Sequence, residues 1–216
     1  MTSYNGQAEQ DKYILNVLKH KRDGYFLEIG SNHPIKINNT YLLENQYNWR
    51  GVMVEYNPTF MSSYKIHRPR SVHVIDDATR VNYRQILETD NAPHNMDYLQ
   101  IDLEVLEGTT IKTLQLLDET ILDDYKFATV TFEHDIYRTN EGETRRLSRE
   151  IFERRGYVLV FGDIHNNGPH DVYEDWYVHP DLVDMEHVRQ IQHKNVSNYV
   201  NNDITGGSIG WNTLQY

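Results

Sequence analysis

Gly24-Tyr25-Phe26-Leu27-Glu28-Ile29-Gly30-Ser31-Asn32 is an apolar run that ends in a glycine turn, and Gly51-Val52-Met53-Val54-Glu55-Tyr56-Asn57-Pro58 is a second that ends in a carboxylate, after a short helix-like span. Both have the near-continuous apolar character of strands buried on two faces. Together they read as the first two strands of a nucleotide-type α/β sheet, in which ligands bind at the carboxyl ends of the strands. That reading points to a small-molecule cofactor.

Working outward, the sequence alternates strand and helix signals and contains no internal repeat. Residues 7–20 place Tyr13, Ile14, Val17 and Leu18 at helical spacing and finish on Lys19, Lys21 and Arg22, a basic end that suits a helix C-terminus. Strands are predicted at Tyr25–Ile29, Val52–Glu55, Val72–Ile75, Tyr98–Ile101 and Ala128–Phe132. Helices are predicted at Asn39–Gln46, after Asn57-Pro58 with proline in the first turn, at Ile111–Leu117 and at Glu141–Arg155 with Gly156 as the stop. Tyr157–Phe161 and Val172–Val178 read as two further strands. The expected architecture is a mostly parallel seven-stranded sheet with helices on both faces and a late antiparallel hairpin. One domain is expected over 1–216: a leading helix in 1–23, the core sheet and helices in 24–180, and a C-terminal helix and polar tail in 181–216. From about Asn195 the tail is polar and glycine-containing, and no structure is assigned to it.

Composition narrows the function. The 216 residues suffice for one domain that buries roughly 70% of its unfolded surface. With no cysteine, disulfides, thiolate metal sites and cysteine nucleophiles are excluded. The first residues lack a basic and apolar signal region, and no run approaches the roughly 20 apolar residues of a membrane span. A soluble, cytoplasmic protein without membrane partners is expected. The net charge of -11 opposes phosphate backbones, so nucleic acid is disfavoured as a partner.

Every predicted strand end carries an acid: Glu28, Glu55, Asp76 with Asp77, Asp102 with Glu104, and Glu133 beside His134. The turn after the first strand discriminates between cofactors. A dinucleotide site wants three glycines for a pyrophosphate, whereas here Gly30 stands alone and His33-Pro34 follows. S-adenosylmethionine has no phosphate and carries positive sulfonium and ammonium groups, so it tolerates this turn and favours acidic surroundings. Glu55 would accept hydrogen bonds from both ribose hydroxyls.

The ordered motifs Gln10-Asp11-Lys12, Phe26 to Pro34, Asn39-Thr40-Tyr41, Trp49-Arg50-Gly51, Glu55-Tyr56-Asn57-Pro58, Asp97 to Glu104 and Glu174-Asp175-Trp176-Tyr177 resemble the FkbM-type family of S-adenosylmethionine-dependent methyltransferases. The resemblance runs from about Tyr4 to Val178. It departs from the commoner pattern at His33-Pro34, where an acid-glycine pair is usual, and at Val105-Leu106, where a glycine is usual. It implies a Rossmann-like class I methyltransferase fold, O-methylation of a sugar, glycan or similar small polar hydroxyl, and fusion or association with glycan-building enzymes. It further implies that Glu28, Gly30, Ser31 and Asn32 line the methionine end of the cofactor, that Glu55 holds the ribose and that Tyr56 lies along the adenine. Asp77 with Ala78 would meet the adenine edge, Asp76 being the alternative contact, and Asp102 would sit beside the ammonium or the reacting methyl.

A neutral hydroxyl is a poor nucleophile and calls for a base or a divalent cation. Asp102, Glu104, Glu133 and His134 are the candidate bases, histidine having the better pKa. Asp102, Glu133 and His134, joined by Asp163 or His165, could instead hold Mg or Mn. The stretch Asp163 to Asp171 is rich in ligand types and also suits an ordinary hairpin loop, the reading preferred. Trp176 and Tyr177 could stack on a sugar ring or pack in the core. Arg145, Arg146, Arg149, Arg154 and Arg155 read as a salt-bridged helix face, or as a site for an anionic acceptor. Two other classes stay open: a non-catalytic cofactor-binding or oligomer-forming module, and a metal-dependent hydrolase, against which the turn chemistry argues.

Overall fold

The computed structural model describes residues 4–138, 142–165 and 171–202, and of residues 195–202 the helical backbone alone. Seven strands form one sheet: β1 (Tyr25–Ile29), β2 (Arg50–Glu55), β3 (Val72–Ile75), β4 (Asn95–Ile101), β5 (Lys126–Glu133), β6 (Val158–His165) and β7 (Val172–Val178). Their order is β3-β2-β1-β4-β5-β7-β6. The first five pair in parallel, while β7 inserts antiparallel between β5 and β6. The expected hairpin is present, as an inserted pair at one end of the sheet.

Alternation along the strands explains why both faces are apolar. Leu27, Ile29, Val52, Val54, Leu99, Ile101, Val130 and Phe132 pack on one side, against Leu87 of α4 (Tyr83–Thr89), Leu114 and Leu117 of α5 (Thr109–Thr120) and Phe152 of α6 (Glu143–Arg154). Phe26, Met53, Tyr98, Trp176 and Val178 face the other way. They meet Tyr13 and Ile14 of α1 (Gln10–Val17), Leu42 and Leu43 of α2 (Tyr41–Tyr47), Tyr64 of α3 (Met61–His67) and Val188 of α7 (Met185–Asn202). No helix among the described residues is long and apolar enough to cross a membrane.

Several boundaries differ from expectation. The first helix is shorter than residues 7–20, because Lys19 and His20 adopt left-handed φ angles of 51° and 56°. Helix α4 was not foreseen; its start is capped by Asn82, whose side chain accepts from the Gln85 N–H at 3.1 Å. Strand β6 runs on through Asp163 and His165, part of the predicted loop, and residues 166–170 of that loop lie outside the described residues. The extension is irregular: pairing with β7 shifts register three times, and Asp163 (φ 59°) is held by its N–H donating to Asp175 Oδ1 at 2.8 Å. Helix α7 continues past Asn195 to Asn202, where no structure was expected. Residues 203–216 lie outside the described residues.

Candidate functional site

The carboxyl ends of the parallel strands enclose a cleft of about 680 Å³, lined among others by Gly30, Asn32, Glu55, Gln100, Asp102, Glu133 and Asp135. A second hollow of about 310 Å³ reaches the end of β3 at Asp76, Asp77 and Ala78. The two share Glu55, Tyr56, Leu103 and Glu104, so one groove crosses the strand ends.

The turn after β1 is built for close approach. Gly30 has φ 86°, and a Cβ there would stand 1.7 Å from the Asp102 carbonyl oxygen, so no side chain fits between the ends of β1 and β4. Asn32 follows with φ 48°. Glu55 ties this turn to the next, since Oε2 accepts the Asn32 N–H at 2.7 Å and Oε1 the Asn57 N–H at 2.8 Å. Each carboxylate oxygen keeps a further acceptor position. Tyr56 is 77% exposed and lines both hollows, which excludes a core role for it.

Glu28 and Ser31 do not line either hollow. Glu28 shares the face of Phe26 and is fully buried under α2, where Thr40 Oγ1 donates to Oε1 at 2.9 Å and Asn38 Nδ2 to Oε2 at 3.3 Å. Burial pushes its carboxyl up, and the nearby Arg68 guanidinium works against that rise. Arg68, itself fully buried, lies 3.8 Å from Glu28 and 2.9 Å from Glu44. Asn38 links the network to the turn by donating to the Ser31 carbonyl at 3.0 Å. The Ser31 hydroxyl points back to the Glu28 carbonyl at 3.3 Å, and its N–H donates to the Val54 carbonyl at 3.1 Å, so both of its donors are engaged within the protein. Thus the side chains expected to touch the cofactor instead brace the loop beside it, and Arg68, unremarked in the sequence, is the centre of that brace.

At β3 the outcome is split. Asp77 accepts from Thr79 N–H (3.0 Å), Thr79 Oγ1 (2.7 Å) and Arg80 Nε (3.0 Å). The Thr79 hydrogen bonds, aided by Arg80, hold its carboxyl below the usual range. Its acceptor capacity is largely engaged, while the more exposed Asp76 accepts one bond, from the Asp77 N–H at 2.8 Å.

Among the four candidate bases, Asp102, Glu104 and Glu133 line the cleft and His134 does not. Asp102 is exposed and lines the cleft. Loss of hydration there raises its carboxyl, helped by the charges of Asp135, Glu104 and Glu55 and opposed by a hydrogen bond with Glu133. Glu133 is also raised, by burial first and then by Asp102 and Asp135. Each carboxyl of the pair thus opposes the ionisation of the other. Glu104 is exposed at the rim, 3.9 Å from Arg138.

His134, one residue on, points to the opposite side of the strand end and is fully buried. Its Nε2 lies 3.4 Å from Asp175 Oδ1. Asp175, His134 and Asp163 bring ligand atoms within 4.8 Å of one another, which is a metal-like cluster. Its carboxylates are taken, however: Arg149 contacts Asp175 at 2.7 and 2.9 Å, and Arg145 and Arg149 meet Asp163 at 2.7 and 2.8 Å. Burial raises Asp175, yet the bonds from Arg149 and His134 win and hold it well below the usual range. The cluster is an internal salt-bridge network, separate from the Asp102–Glu133 pair, and the three residues with metal-like spacing are His134, Asp163 and Asp175 rather than a set with Asp102 and Glu133.

The remaining arginines behave likewise. Arg146 pairs with Glu150 at 2.6 Å, and Arg154 and Arg155 reach Asp118 at 2.7 and 2.5 Å. Trp176 and Tyr177 are buried, the first stacked on Tyr13 at 4.6 Å and donating to Glu174 at 2.6 Å. Neither lines the groove, so the stacking role is corrected to core packing.

Comparison with solved structures identifies the architecture. A precorrin-6y C5,15-methyltransferase from Geobacter metallireducens GS-15 matches with a TM-score of 0.50 and 16% identity, over 78% of this chain and 86% of that one. A provisional rRNA methylase from Clostridium thermocellum matches at 0.54 and 12% identity, over 82% and 99% of the two chains. This is the Rossmann-like class I methyltransferase fold. A provisional S-adenosylmethionine-dependent methyltransferase from Streptococcus mutans also matches at 0.54 and 9% identity; the aligned part covers 78% of this chain and 47% of that protein. No family model matches the sequence, and no curated protein matches it as a relative.

Proposed function

We propose that the chain transfers a methyl group from S-adenosylmethionine to a hydroxyl of a sugar, glycan or similar small polar acceptor. The observation that carries this reading is the single groove across the strand ends, with glycine where backbone must approach closely and carboxylates along its length. That set of acceptors fits a ligand with two positive groups, two ribose hydroxyls and no phosphate. The motifs that resemble the FkbM-type family support the hydroxyl acceptor.

In this reading Gly30 and Asn32, which line the cleft, and the Asp102 side chain hold the methionine end. Glu55 takes the ribose hydroxyls on its remaining lone pairs, Tyr56 covers the adenine, and Asp76 with Ala78 meets its edge. The bound cofactor supplies an activated methyl on a good leaving group, so the protein chiefly aligns the acceptor oxygen within about 3 to 3.5 Å of it. The Asp102–Glu133 pair accepts the hydroxyl proton as the oxygen is methylated. Glu104 and Arg138 form part of the rim, and no step requires His134.

The test is calorimetric titration with S-adenosylmethionine and with its demethylated product, with NAD as control, with and without Mg. Binding of the first two alone supports the reading and justifies screening sugar acceptors. Failure of both to bind overturns it and leaves a non-catalytic role.

A further inference from the structure

The methionine end of the cofactor brings an anion as well as an ammonium, and the acids of the cleft serve only the second. An α-carboxylate needs hydrogen-bond donors. The backbone N–H groups nearest to it are spent inside the protein: those of Gly30 and Ser31 donate to the Val54 carbonyl at 2.9 and 3.1 Å, that of Asn32 to Glu55 at 2.7 Å, and that of Asp102 to the Ile29 carbonyl at 3.0 Å. The turn after β1 therefore offers no cradle of amides, and a side chain is left to receive the carboxylate.

Gln100 has the placement for it. It stands on β4, lines the cleft and is 4% exposed. Its Oε1 accepts from Asn39 Nδ2 at 2.9 Å and faces the Tyr98 hydroxyl at 3.4 Å, whereas no acceptor among the described residues takes a hydrogen from its Nε2. The NH2 group is thus a donor held ready in a nearly dry setting, where a charge-assisted hydrogen bond is worth more than at the surface. Asp102 comes two residues later on the same side of the chain, roughly 6.6 Å away along an extended strand. That spacing suits an ammonium and a carboxylate on one carbon, each reached by a charge-assisted hydrogen bond of roughly 2.8 Å. Gln7, Asn32 and Lys36 also bring donors to the cleft, but they are exposed and water already serves them.

We infer that the Gln100 amide anchors the α-carboxylate of the cofactor, beside Asp102, which takes the ammonium. The inference rests on the methyl-transfer reading and adds to it the residue that recognises the negative half of the amino-acid end.

The experiment is calorimetry on the full chain with S-adenosylhomocysteine and with its decarboxylated counterpart, in which hydrogen replaces the carboxylate and the amine is kept. If neither binds the wild-type chain, the methyl-transfer reading itself fails. If both bind equally, that reading stands and the carboxylate anchor alone is overturned. The wild-type chain is expected to prefer S-adenosylhomocysteine by roughly tenfold or more, the gain of a charge-assisted hydrogen bond. Gln100→Met is expected to erase that preference while changing affinity for the decarboxylated compound less than about twofold, and Gln7→Ala and Lys36→Met are expected to keep it. A preference that survives Gln100→Met overturns the assignment. Because that substitution also takes an acceptor from the buried Asn39, the wild-type chain is read by 15N NMR as well. The side-chain amide of Gln100 is expected to shift clearly more with S-adenosylhomocysteine than with the decarboxylated compound, and equal shifts overturn the anchor whether or not the variant folds.

Discussion

Arg68→Met tests whether the loop beside the groove is braced by a buried ion network. Arg68 is fully buried and donates to Glu44 at 2.9 Å, Asn38 Oδ1 at 2.9 Å and Thr40 Oγ1 at 2.5 Å, with Glu28 3.8 Å away. Methionine fills similar space without charge. Glu44 keeps the Ser71 hydroxyl at 2.6 Å and the Arg70 N–H at 2.9 Å, and Glu28 keeps Thr40 and Asn38, so what both lose is the one buried cation between them. Removing one partner of a buried pair costs about 3 to 5 kcal/mol, a large share of the roughly 5 to 15 kcal/mol of a typical domain. The pH dependence has a definite sign. Glu28 is raised in the folded protein, so its contribution is present below the unfolded glutamate pKa and is lost as pH rises through the folded one. Without Arg68 that rise is larger, and the deficit of Arg68→Met is expected to grow from pH 5 to pH 8, by up to about 1.4 kcal/mol per unit for one proton. Urea unfolding followed by circular dichroism at both pH values measures it. Adding Glu28→Gln to Arg68→Met is expected to recover much of the loss at pH 8. A deficit below about 1 kcal/mol at both pH values, or one larger at pH 5, refutes the reasoning.

Glu55→Ala removes charge-assisted hydrogen bonds to the ribose and is expected to weaken S-adenosylmethionine by roughly 1.5 to 3 kcal/mol in calorimetry; unchanged affinity rejects the ribose role. Gly30→Ala places a methyl against the Asp102 carbonyl, so cofactor binding and thermal stability are both expected to drop sharply, and a variant with wild-type melting would show that the turn has room. Glu133→Gln is expected to leave the cofactor Kd within about twofold and to lower kcat by about 10²-fold or more. Because Asp102 and Glu133 are both raised, wild-type kcat is expected to climb with pH as their proton leaves, and a pH profile identical in Glu133→Gln would remove the pair as base. His134→Ala is expected to lower stability while leaving cofactor affinity unchanged, and a weakened Kd at full stability would return His134 to the groove.

The parts of the site that were legible follow from strand periodicity. Glu55 closes β2 and Gly30 follows β1, so their place at the sheet's carboxyl edge is a matter of counting. Parity was the harder matter. Glu28 falls in phase with Phe26 rather than with Leu27 and Ile29, which sends it beneath α2, and His134 alternates with Glu133, which turns it from the cleft towards Asp175. Both inversions could be read from the period of two once the faces are assigned, but the faces are assigned by helices that the pattern places only approximately. Arg68 carried no such signal: a lone arginine after a helix reads as solvent-facing, and only the packing of α2 and α3 on β1 closes a cage around it. Helix α4 was hidden by its brevity, although Asn82 three residues before Gln85 is the capping pattern that marks its start.

The placement of β7 between β5 and β6 sets an order of events for a chain emerging from the ribosome. Strand β5 is made whole at Glu133, and its partner on the far side begins only at Val172. Through that interval β1 to β4 can zip against one side of β5 while the other side presents unpaired N–H and C=O groups along a buried apolar segment. A nascent chain that has emerged past Glu133 but not yet through β7 therefore carries a sticky central edge, and a chaperone that holds β5 until the β6–β7 hairpin arrives would guard it at its most vulnerable length.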